Sequence, residues 1–416
     1  MKPVIYRRSD CRACASHDLE LVFALQPTPV GDDYIDETRL GQVQPSYPID
    51  LYMCKQCGLA QITDVIDPDV LYGNYIYVTE SSFGLSDHFR SYAEHVVKRC
   101  MLKPGSMVMD LGSNDGTLLR AFKSQGMKVL GVEFAAHIAE QATANGIETI
   151  GKFFERDLAL QIAADYGHAR VITANNVFAN IDDLRSWVDG INTLLAEDGV
   201  FIFESYYLAD LIKNKVFDFI YHEHLSSFSV KPIQLLFQSV GLELTAVERI
   251  ATKGGSLRYF VQRPKGPLVS DGSVAELLAM EDRVGLYRKE TYESFAIEVD
   301  NLKRQTRQVL QQAKSEGKVI AGFGASITCT TLIYHFQIGE YLDYLVDDNP
   351  AKQGRYSPGL HLPVLPSSVL YERKPDYVLA LAWRFADVFM EKNSAYLKQG
   401  GCFVVPVPEL RVIRNG

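Results

Sequence analysis

Four cysteines form two matched pairs whose spacing suits a metal ion. Cys11 and Cys14 have two residues between them, as do Cys54 and Cys57. Two thiolate pairs of this kind complete the tetrahedral four-sulfur shell that zinc prefers. A closed shell leaves no open position for water or substrate, so we expect a structural zinc; four buried free thiols or two disulfides are the alternatives. The 39 residues between the pairs require an inserted loop or hairpin.

A second group of reactive side chains is the run Tyr221-His222-Glu223-His224, which follows a mostly apolar stretch. Its histidines do not have the i, i+4 spacing of a helical zinc motif. Alternation along an extended chain would place Tyr221 and Glu223 on one side and the histidines on the other. A histidine can take up a proton near neutral pH, a glutamate can hold its tautomer, and a tyrosine hydroxyl can donate to a developing oxyanion. The run therefore predicts acid–base chemistry, with a hydrogen-bonded loop or a helix start as the alternative.

A glycine turn at residues 110–116 separates a predicted strand from a predicted helix. Gly112 allows a tight turn and close approach of a ligand to the backbone. Glu133 ends the next strand, 21 residues after Gly112, where it can accept hydrogen bonds from ribose hydroxyls. The turn lacks the second glycine of a pyrophosphate-binding motif and carries carboxylates instead. These features suit a cofactor with an ammonium and a sulfonium group, S-adenosylmethionine; an empty Rossmann-type turn is the alternative.

Alternating strands and helices would position these groups. The sequence predicts strands at 48–53, 106–110, 128–132, 171–174 and 199–203, helices at 87–100 and 275–314, a second strand–glycine turn–helix at 318–326, and a strand ending in acid at 344–348. This order predicts an α/β protein with mainly parallel sheets. We expect three parts: a small zinc-binding module (1–72), a central Rossmann-like domain (73–245) and a second Rossmann-like domain (246–416).

Composition narrows the possible partners and location. The 416 residues are too many for one core, and the formal charge of -9 with no basic run argues against a nucleic-acid partner. No apolar run approaches 18 residues and the N-terminus has no apolar signal core, so we expect neither a membrane span nor secretion. Zinc thiolates together with three lone cysteines favour the reducing cytoplasm.

Taken together, these motifs resemble the sugar C-methyltransferases that act on nucleotide-linked 4-keto-6-deoxyhexoses. The resemblance covers essentially the whole chain. It rests on the four cysteines and on the segments 111–119, 172–177, 221–224, 254–258 and 346–355. It implies a methyltransferase that uses S-adenosylmethionine, carries a structural zinc, and methylates a carbon next to the ketone through an enolate. C3 is the expected carbon and C5 the alternative.

The resemblance also implies roles for individual residues. His224 would be the base, with Tyr221, Glu223 and Tyr75 as its partners, although Tyr77 could take the place of Tyr75. The implied cofactor-binding residues are Asp110, Gly112, Asn114, Gly116, Glu133, Phe153 and Asn176. The implied substrate-binding residues, which would hold a sugar linked to dTDP or GDP against the C-terminal domain, are Lys253, Ser256, Arg258, Gly324, Ser326, Asp347 and Arg355.

Two departures from the family pattern bear on substrate and mechanism. Asn180 stands where relatives usually carry a histidine, and an amide can orient a sugar but cannot relay a proton near neutral pH. The segment after Ser326 lacks a lysine that is frequent in relatives, a charge that Lys253 or Arg355 could restore, so GDP is an alternative to dTDP. A dinucleotide-dependent reductase using Gly322, Gly324 and Asp347, or a non-catalytic sugar-nucleotide-binding protein, are the competing hypotheses.

Overall fold

The computed structural model describes residues 4–72, 79 and 84–414. The N-terminal module contains β1 (Ile5–Arg7), β2 (Leu19–Phe23), β3 (Leu51–Cys54), β4 (Ala60–Ile62), β5 (Asp64–Ile66) and α1 (Pro68–Tyr72). The predicted strand at 48–53 corresponds to β3, which leads directly into the second cysteine pair. The chain thus brings its two cysteine pairs together through short strands.

The central domain is built around one mostly parallel sheet. Its elements are α2 (Leu85–Arg99), β6 (Met107–Leu111), α3 (Thr117–Ser124), β7 (Lys128–Glu133), α4 (Ala136–Ala144), β8 (Thr149–Gly151), α5 (Arg156–Tyr166), β9 (Ala169–Asn175), α6 (Leu184–Leu194), β10 (Leu195–Tyr206), α7 (Leu208–Lys213), β11 (Ser226–Ser227), α8 (Val230–Gln238), β12 (Glu243–Ile250) and β13 (Ser256–Gln262). The sheet order is β12-β13-β10-β9-β6-β7-β8. Almost all of β6 and the second half of β10 are buried, as expected for strands that helices cover on both faces.

The predicted boundary at residue 245 falls inside β12. Both β12 and β13 pair antiparallel within the central sheet. This sheet therefore continues through Gln262. Two antiparallel strands joined by a short turn do not show the strand–helix alternation that marks the parallel part of the sheet.

The C-terminal domain has a second sheet and a long helix. After α9 (Ser273–Arg283), which packs against α8 and β12 of the central domain, its elements are α10 (Lys289–Ser315), β14 (Ile320–Phe323), α11 (Ile327–Phe336), β15 (Tyr344–Val346), β16 (Val364–Leu365), α12 (Val369–Arg373), β17 (Tyr377–Ala380), α13 (Ala386–Lys392), α14 (Ser394–Lys398), β18 (Cys402–Val405) and β19 (Arg411–Arg414). The sheet order β16-β15-β14-β17-β18-β19 is that of a Rossmann fold. The helix predicted at 275–314 is two helices, because Gly285 adopts φ +65° between them.

The knuckle spacer, residues 15–53 between the two cysteine pairs, crosses to the C-terminal domain. The Thr330 hydroxyl donates to the carbonyl of Gly31 at 2.9 Å, and the amide of Gly359 donates to the Gln44 side chain at 2.7 Å. Phe23 packs against Phe295 of α10 with ring centroids 4.9 Å apart. The insertion that the cysteine spacing requires therefore connects the first and third parts of the chain.

Among the described residues, no helix combines the length and the apolar character that a membrane crossing needs.

Candidate active site

A cleft of about 2880 Å³ lies where the three parts of the chain meet. Its walls include the carboxyl ends of β6, β7, β9 and β10, the turn after β14, and part of the knuckle spacer. Ligand sites of open α/β sheets lie at the carboxyl ends of the strands. Fourteen of the predicted site residues line it: Gly112, Asn114, Glu133, Phe153, Asn176, Asn180, Tyr221, Glu223, His224, Lys253, Gly324, Ser326, Asp347 and Arg355.

Tyr221 and His224 form a hydrogen-bonded pair in the cleft wall. The Tyr221 hydroxyl lies 2.7 Å from Nε2 of His224, and Nδ1 of His224 lies 2.8 Å from the carbonyl oxygen of Phe219. A carbonyl can only accept, so Nδ1 carries the hydrogen and Nε2 presents its lone pair to the tyrosine hydroxyl. The pair is therefore arranged to take up a proton at Nε2.

The local backbone brings this pair together. The amide of His224 donates to the carbonyl of Tyr221 at 2.9 Å, so residues 221–224 form a turn. The expected separation of Tyr221 and Glu223 from the histidines was therefore wrong, because alternation holds only for extended chains. The carbonyl of Phe219, rather than a glutamate, holds the His224 tautomer.

Burial keeps His224 neutral. Desolvation, followed by the positive charge of Lys253, lowers the pKa of His224 to about 3. The imidazole stacks against the ring of Tyr206 at 4.8 Å between centroids. A neutral imidazole, with its unprotonated Nε2 accepting the Tyr221 hydroxyl, is the form that can act as a base.

Glu223 has the opposite shift. Burial, with a contribution from the charge of Asp32, raises the pKa of Glu223 to about 8, while Lys253 and Lys352 oppose that rise. The carboxyl group is therefore protonated near neutral pH and can donate a hydrogen bond. A neutral histidine and a neutral carboxylic acid side by side give the cleft one acceptor and one donor of protons.

The first glycine turn has the geometry expected for an S-adenosylmethionine site. Gly112 adopts φ +76°, and a Cβ there would lie 2.9 Å from Cγ2 of Val177. The two carboxylate oxygens of Glu133 accept the amides of Asn114 at 2.9 Å and Ala135 at 3.0 Å. Each oxygen keeps a lone pair that ribose hydroxyls can use. The backbone thus orients Glu133 toward the cleft before any ligand binds.

An aromatic group continues the cofactor side of the cleft. The rings of Phe134 and Phe153 are stacked 5.2 Å apart, and Phe153 is 50% exposed. Tyr72 packs on the other side of Phe134 at 4.8 Å. Exposed aromatic faces beside a ribose-binding acid suit a purine ring, so these residues fit the adenosine part of the cofactor.

Asn180 lies next to Tyr72. Its side-chain amide hydrogen-bonds the Tyr72 hydroxyl, which has Glu223 and Glu133 among its neighbours, and burial raises the pKa of this tyrosine well above its usual value. The side-chain oxygen of Asn180 is buried without a hydrogen-bond partner within the described ranges. Asn180 and Tyr72 therefore stand between the cofactor turn and the Tyr221–His224 pair.

The second glycine turn repeats the plan of the first. Gly324 adopts φ +114°, and Asp347, at the end of β15, accepts the amide of Ala325 at 2.6 Å. The other Asp347 oxygen accepts the amide of Asn349 at 2.8 Å. The exposed Ser326 precedes α11 at the mouth of this turn.

Cations surround the second turn. Lys352 is buried, pairs with Asp32 of the knuckle spacer, and lies 4.2 Å from the ring of Tyr34. Arg384 pairs with the fully buried Asp218 at 2.9 Å, and Arg355 lines the same wall with an exposed side chain. This positive charge suits a ligand with phosphate groups.

Four predicted residues lie outside the cleft lining. Asp110 accepts the Thr173 hydroxyl at 2.6 Å, and burial raises its pKa to about 7. Gly116 starts α3 with φ +76°. The hydroxyl of Ser256 donates to the carbonyl of Thr252 at 3.0 Å. Ser256 therefore contacts the loop that carries Lys253 rather than the cleft itself.

Arg258 was predicted to bind substrate, and it is not among the residues that line the cleft. The residue is 5% exposed, and its guanidinium pairs with the carboxylate of Glu204 at 2.6 Å. It also stacks on the Tyr92 ring at 4.2 Å, facing α2 rather than the second turn. Tyr75 and its alternative Tyr77 lie outside the described residues.

The four cysteines form a separate site. Their sulfur atoms all lie within 4.8 Å of one another, and the Cys11–Cys57 and Cys14–Cys54 sulfurs are each 3.5 Å apart. A tetrahedral zinc with Zn–S bonds of about 2.3 Å needs sulfurs about 3.8 Å apart. The donor set therefore fits one zinc ion, and the cysteines are free thiols rather than disulfides.

Sequence reasoning missed several residues of the cleft. Arg384 follows β17 at the point where strand order reverses, and the rule for ligand sites at such switch points could have indicated it. Asp32 and Tyr34 carry no local signal, because only the docking of the knuckle spacer brings them to the cleft. Tyr72 stands close to Tyr75 and Tyr77 in the sequence, where composition alone does not distinguish the three.

Comparison with protein families accounts for most of the chain. A zinc binding domain model matches residues 11–72, a methyltransferase domain model matches 86–247, and a C-methyltransferase C-terminal domain model matches 251–408. The C-methyltransferase NovU of Streptomyces niveus is 33% identical over 414 residues, covering 99% of each chain.

Solved structures resemble part of the chain. Magnesium protoporphyrin IX methyltransferase from Synechocystis PCC 6803, with bound SAH, has 15% identity and a TM-score of 0.34, covering 46% of this chain and 91% of its own. The PH0226 protein from Pyrococcus horikoshii OT3 has 12% identity and a TM-score of 0.36, covering 46% of this chain and 98% of its own.

Proposed function

The chain belongs to the C-methyltransferase family, with S-adenosylmethionine and zinc as its cofactors, and we propose that its substrate is a nucleotide-linked 4-keto-6-deoxyhexose. The methyl group would go to a carbon next to the ketone, C3 by expectation and C5 as the alternative. The observation that carries this proposal is a single cleft in which the cofactor turn, the Tyr221–His224 pair and the cation-rich second turn face one space.

The charge around each turn supports the assignment of ligands. Glu133 and its neighbouring aromatic rings suit a ribose and a purine. Lys352, Arg355 and Arg384 suit the diphosphate of a sugar nucleotide. The sugar would then lie between the turns, against Tyr221 and His224.

The side chains of the cleft provide for proton removal. A ketone acidifies the hydrogen on the adjacent carbon. The Tyr221 oxygen can take up that proton while the hydroxyl proton of Tyr221 passes to Nε2 of His224. The Tyr72 hydroxyl, or the protonated carboxyl of Glu223, can donate to the developing enolate oxygen. The cofactor supplies an electrophilic methyl group when bound. Carbon–methyl bond formation then accompanies breakage of the sulfur–methyl bond.

Asn180 would orient the substrate in this scheme. Its amide already holds Tyr72, and its unpartnered oxygen can accept a sugar hydroxyl. An amide cannot relay a proton at neutral pH, so removal of the proton would run through the Tyr221–His224 pair without Asn180.

A mass-spectrometric methyl-transfer assay tests the proposal. Purified enzyme is incubated with S-adenosylmethionine and, in turn, with 4-keto-6-deoxyhexoses linked to dTDP, GDP and CDP. A product heavier by one methylene group is expected with at least one of them, and NMR of that product identifies C3 or C5. Absence of transfer to all of them, in an enzyme that binds S-adenosylhomocysteine, would contradict the proposal.

The strand order of the C-terminal sheet justifies one further control. That order is shared with dinucleotide-binding domains. Titration with NAD and NADP, followed calorimetrically, should give no binding, whereas dTDP or GDP should bind.

A further inference from the structure

Arg12 is a completely buried arginine inside the first cysteine knuckle. It lies between the zinc ligands Cys11 and Cys14 and is 0% exposed. One guanidinium nitrogen donates to the carbonyl of Ile62 at 2.6 Å and to the carbonyl of Leu225 at 3.3 Å. The Arg12 guanidinium therefore makes its hydrogen bonds inside the protein rather than at its surface.

The opposite edge of the guanidinium faces the central domain. Nε of Arg12 donates to Asp182 at 3.0 Å, and a terminal nitrogen pairs with the same carboxylate at 3.0 Å. Leu225 immediately follows His224, and Asp182 comes two residues after Asn180. Arg12 therefore contacts both chain segments that carry the groups assigned to the sugar.

The same junction is a sheet. β11, which begins two residues after His224, pairs antiparallel with β4 of the zinc module, with Ser226 opposite Gln61. The amide of Ile62 donates to the carbonyl of Leu225 at 3.1 Å, so this carbonyl has two donors from the zinc module. The backbone that ends the catalytic turn is therefore an edge of the sheet that the zinc module builds.

We propose that Arg12 is a positioning residue for catalysis: it fixes the His224 segment relative to the Asn180 segment, and thereby holds the Tyr221–His224 pair in register with the sugar. The proposal rests on the proposed function for the role of that pair. A guanidinium is suited to this task because its planar fork can donate in two directions at once, which a lysine ammonium does not reproduce.

Arg8 provides a matched control. Its guanidinium pairs with the same Asp182 carboxylate at 3.2 Å and with Asp10 at 2.9 Å. Its side chain is partly exposed, and the contacts of its guanidinium are on the Asp182 side of the junction. Arg8→Met therefore removes an ion pair of similar type and leaves the bridge to Leu225 intact.

The test compares Arg12→Met with Arg8→Met in four measurements on the full-length holoenzyme. These are zinc content, S-adenosylhomocysteine affinity, hydrogen–deuterium exchange of the peptide covering 217–228, and kcat with KM on the best sugar nucleotide. For Arg12→Met we expect one zinc per chain and cofactor affinity within about threefold of wild type, with exchange faster by at least about tenfold and kcat lower by about 10- to 100-fold. For Arg8→Met we expect each quantity to stay within about threefold.

A purely structural role predicts a different pattern. Arg12→Met would then raise exchange throughout the chain and reduce the fraction of active enzyme, while kcat per zinc-loaded, cofactor-binding molecule stayed at the wild-type value. Either equal effects of Arg8→Met and Arg12→Met, or a native kcat in Arg12→Met, would overturn the proposal.

Two milder variants cover the case in which Arg12→Met does not fold. Arg12→Lys keeps the buried charge, and Asp182→Asn changes a carboxylate that is 29% exposed. Both should lower kcat by about three- to tenfold and accelerate exchange at 217–228; native values in both would overturn the proposal. If wild-type enzyme methylates none of the sugar nucleotides, the proposed function fails, whereas the exchange comparison still decides the structural part of this inference.

Discussion

The turn after β6 and the turn after β14 follow the same backbone plan in different electrostatic surroundings. In each, a glycine with positive φ follows a buried strand, and an acid at the tip of the next strand accepts an amide of the turn. Glu133 of the first turn is 2% exposed and adjoins aromatic rings, whereas Asp347 of the second is half-buried among cations.

This comparison separates what a motif provides from what its neighbours provide. The shared plan supplies oriented amides and an oriented carboxylate, which both suit a nucleoside. The neighbouring side chains select the rest of the ligand: the aromatic rings beside the first turn suit a purine, and Lys352 and Arg384 near the second suit phosphates. In the proposed function, chemistry is left to the residues between the turns.

The largest expected effect is in that intervening region. If the two turns bind the ligands and take no part in the chemical step, His224→Asn should lower the methylation rate by about 100- to 10,000-fold, because a positioned base is lost. Both ligands should still bind to this variant. Solvent deuterium should also stop exchanging into the carbon next to the ketone, as followed by mass spectrometry. Exchange at the wild-type rate in this variant would assign the base to another residue.

A crossed pair of substitutions tests the division of ligands between the turns. Glu133→Ala should weaken S-adenosylhomocysteine binding by about 1–3 kcal/mol, the usual cost of losing a charge-assisted hydrogen bond, and leave dTDP or GDP binding unchanged. Asp347→Ala should show the reverse pattern. Calorimetric titration of both ligands against both variants measures this, and loss of the same ligand in the two variants would remove the distinction between the turns.

Asn180 sharpens the boundary between binding and chemistry. Asn180→Ala should raise KM and lower kcat by about 10- to 100-fold, because one orienting hydrogen bond contributes about 1.5–3 kcal/mol. Asn180→His should retain catalysis or shift sugar preference. Complete loss of turnover in Asn180→Ala with substrate still bound would place this residue in the chemical step.

The smallest expected effect is on the free energy of unfolding, through His222 in the cleft wall between the two turns. His222 is 2% exposed and donates to the carbonyl of Tyr47 of the knuckle spacer at 3.2 Å; its burial lowers the pKa to about 4. The unfolded chain takes up a proton near its usual pKa of about 6.5, so the folded state loses stability as pH falls from about 6.5 toward 4. The slope from this one group is at most about 1.4 kcal/mol per pH unit.

Urea unfolding of wild type and His222→Gln across this pH range isolates that contribution from the other titrating groups. The difference between their unfolding free energies should decrease as pH falls, since only the wild type has the buried imidazole. A difference independent of pH would show that His222 does not titrate on unfolding.

The sequence by itself determined the local features. The cysteine spacing predicted the metal ligands, strand–turn–helix order predicted both Rossmann-like units, and the acid after the second strand predicted Glu133 at the cleft. These predictions succeed because each depends on residues close in sequence, where spacing and backbone period define geometry.

Only the tertiary structure decided how the pieces face one another. The pairing of Tyr221 with His224 depends on a turn, the engagement of Arg258 by Glu204 depends on neighbouring strands, and Asp32 reaches the cleft because the knuckle spacer docks on the C-terminal domain. Arg12 joins its knuckle to residues 182 and 225 across sequence separations of 170 and 213. Contacts between segments so distant follow from packing and buried hydrogen bonds, which no local pattern encodes.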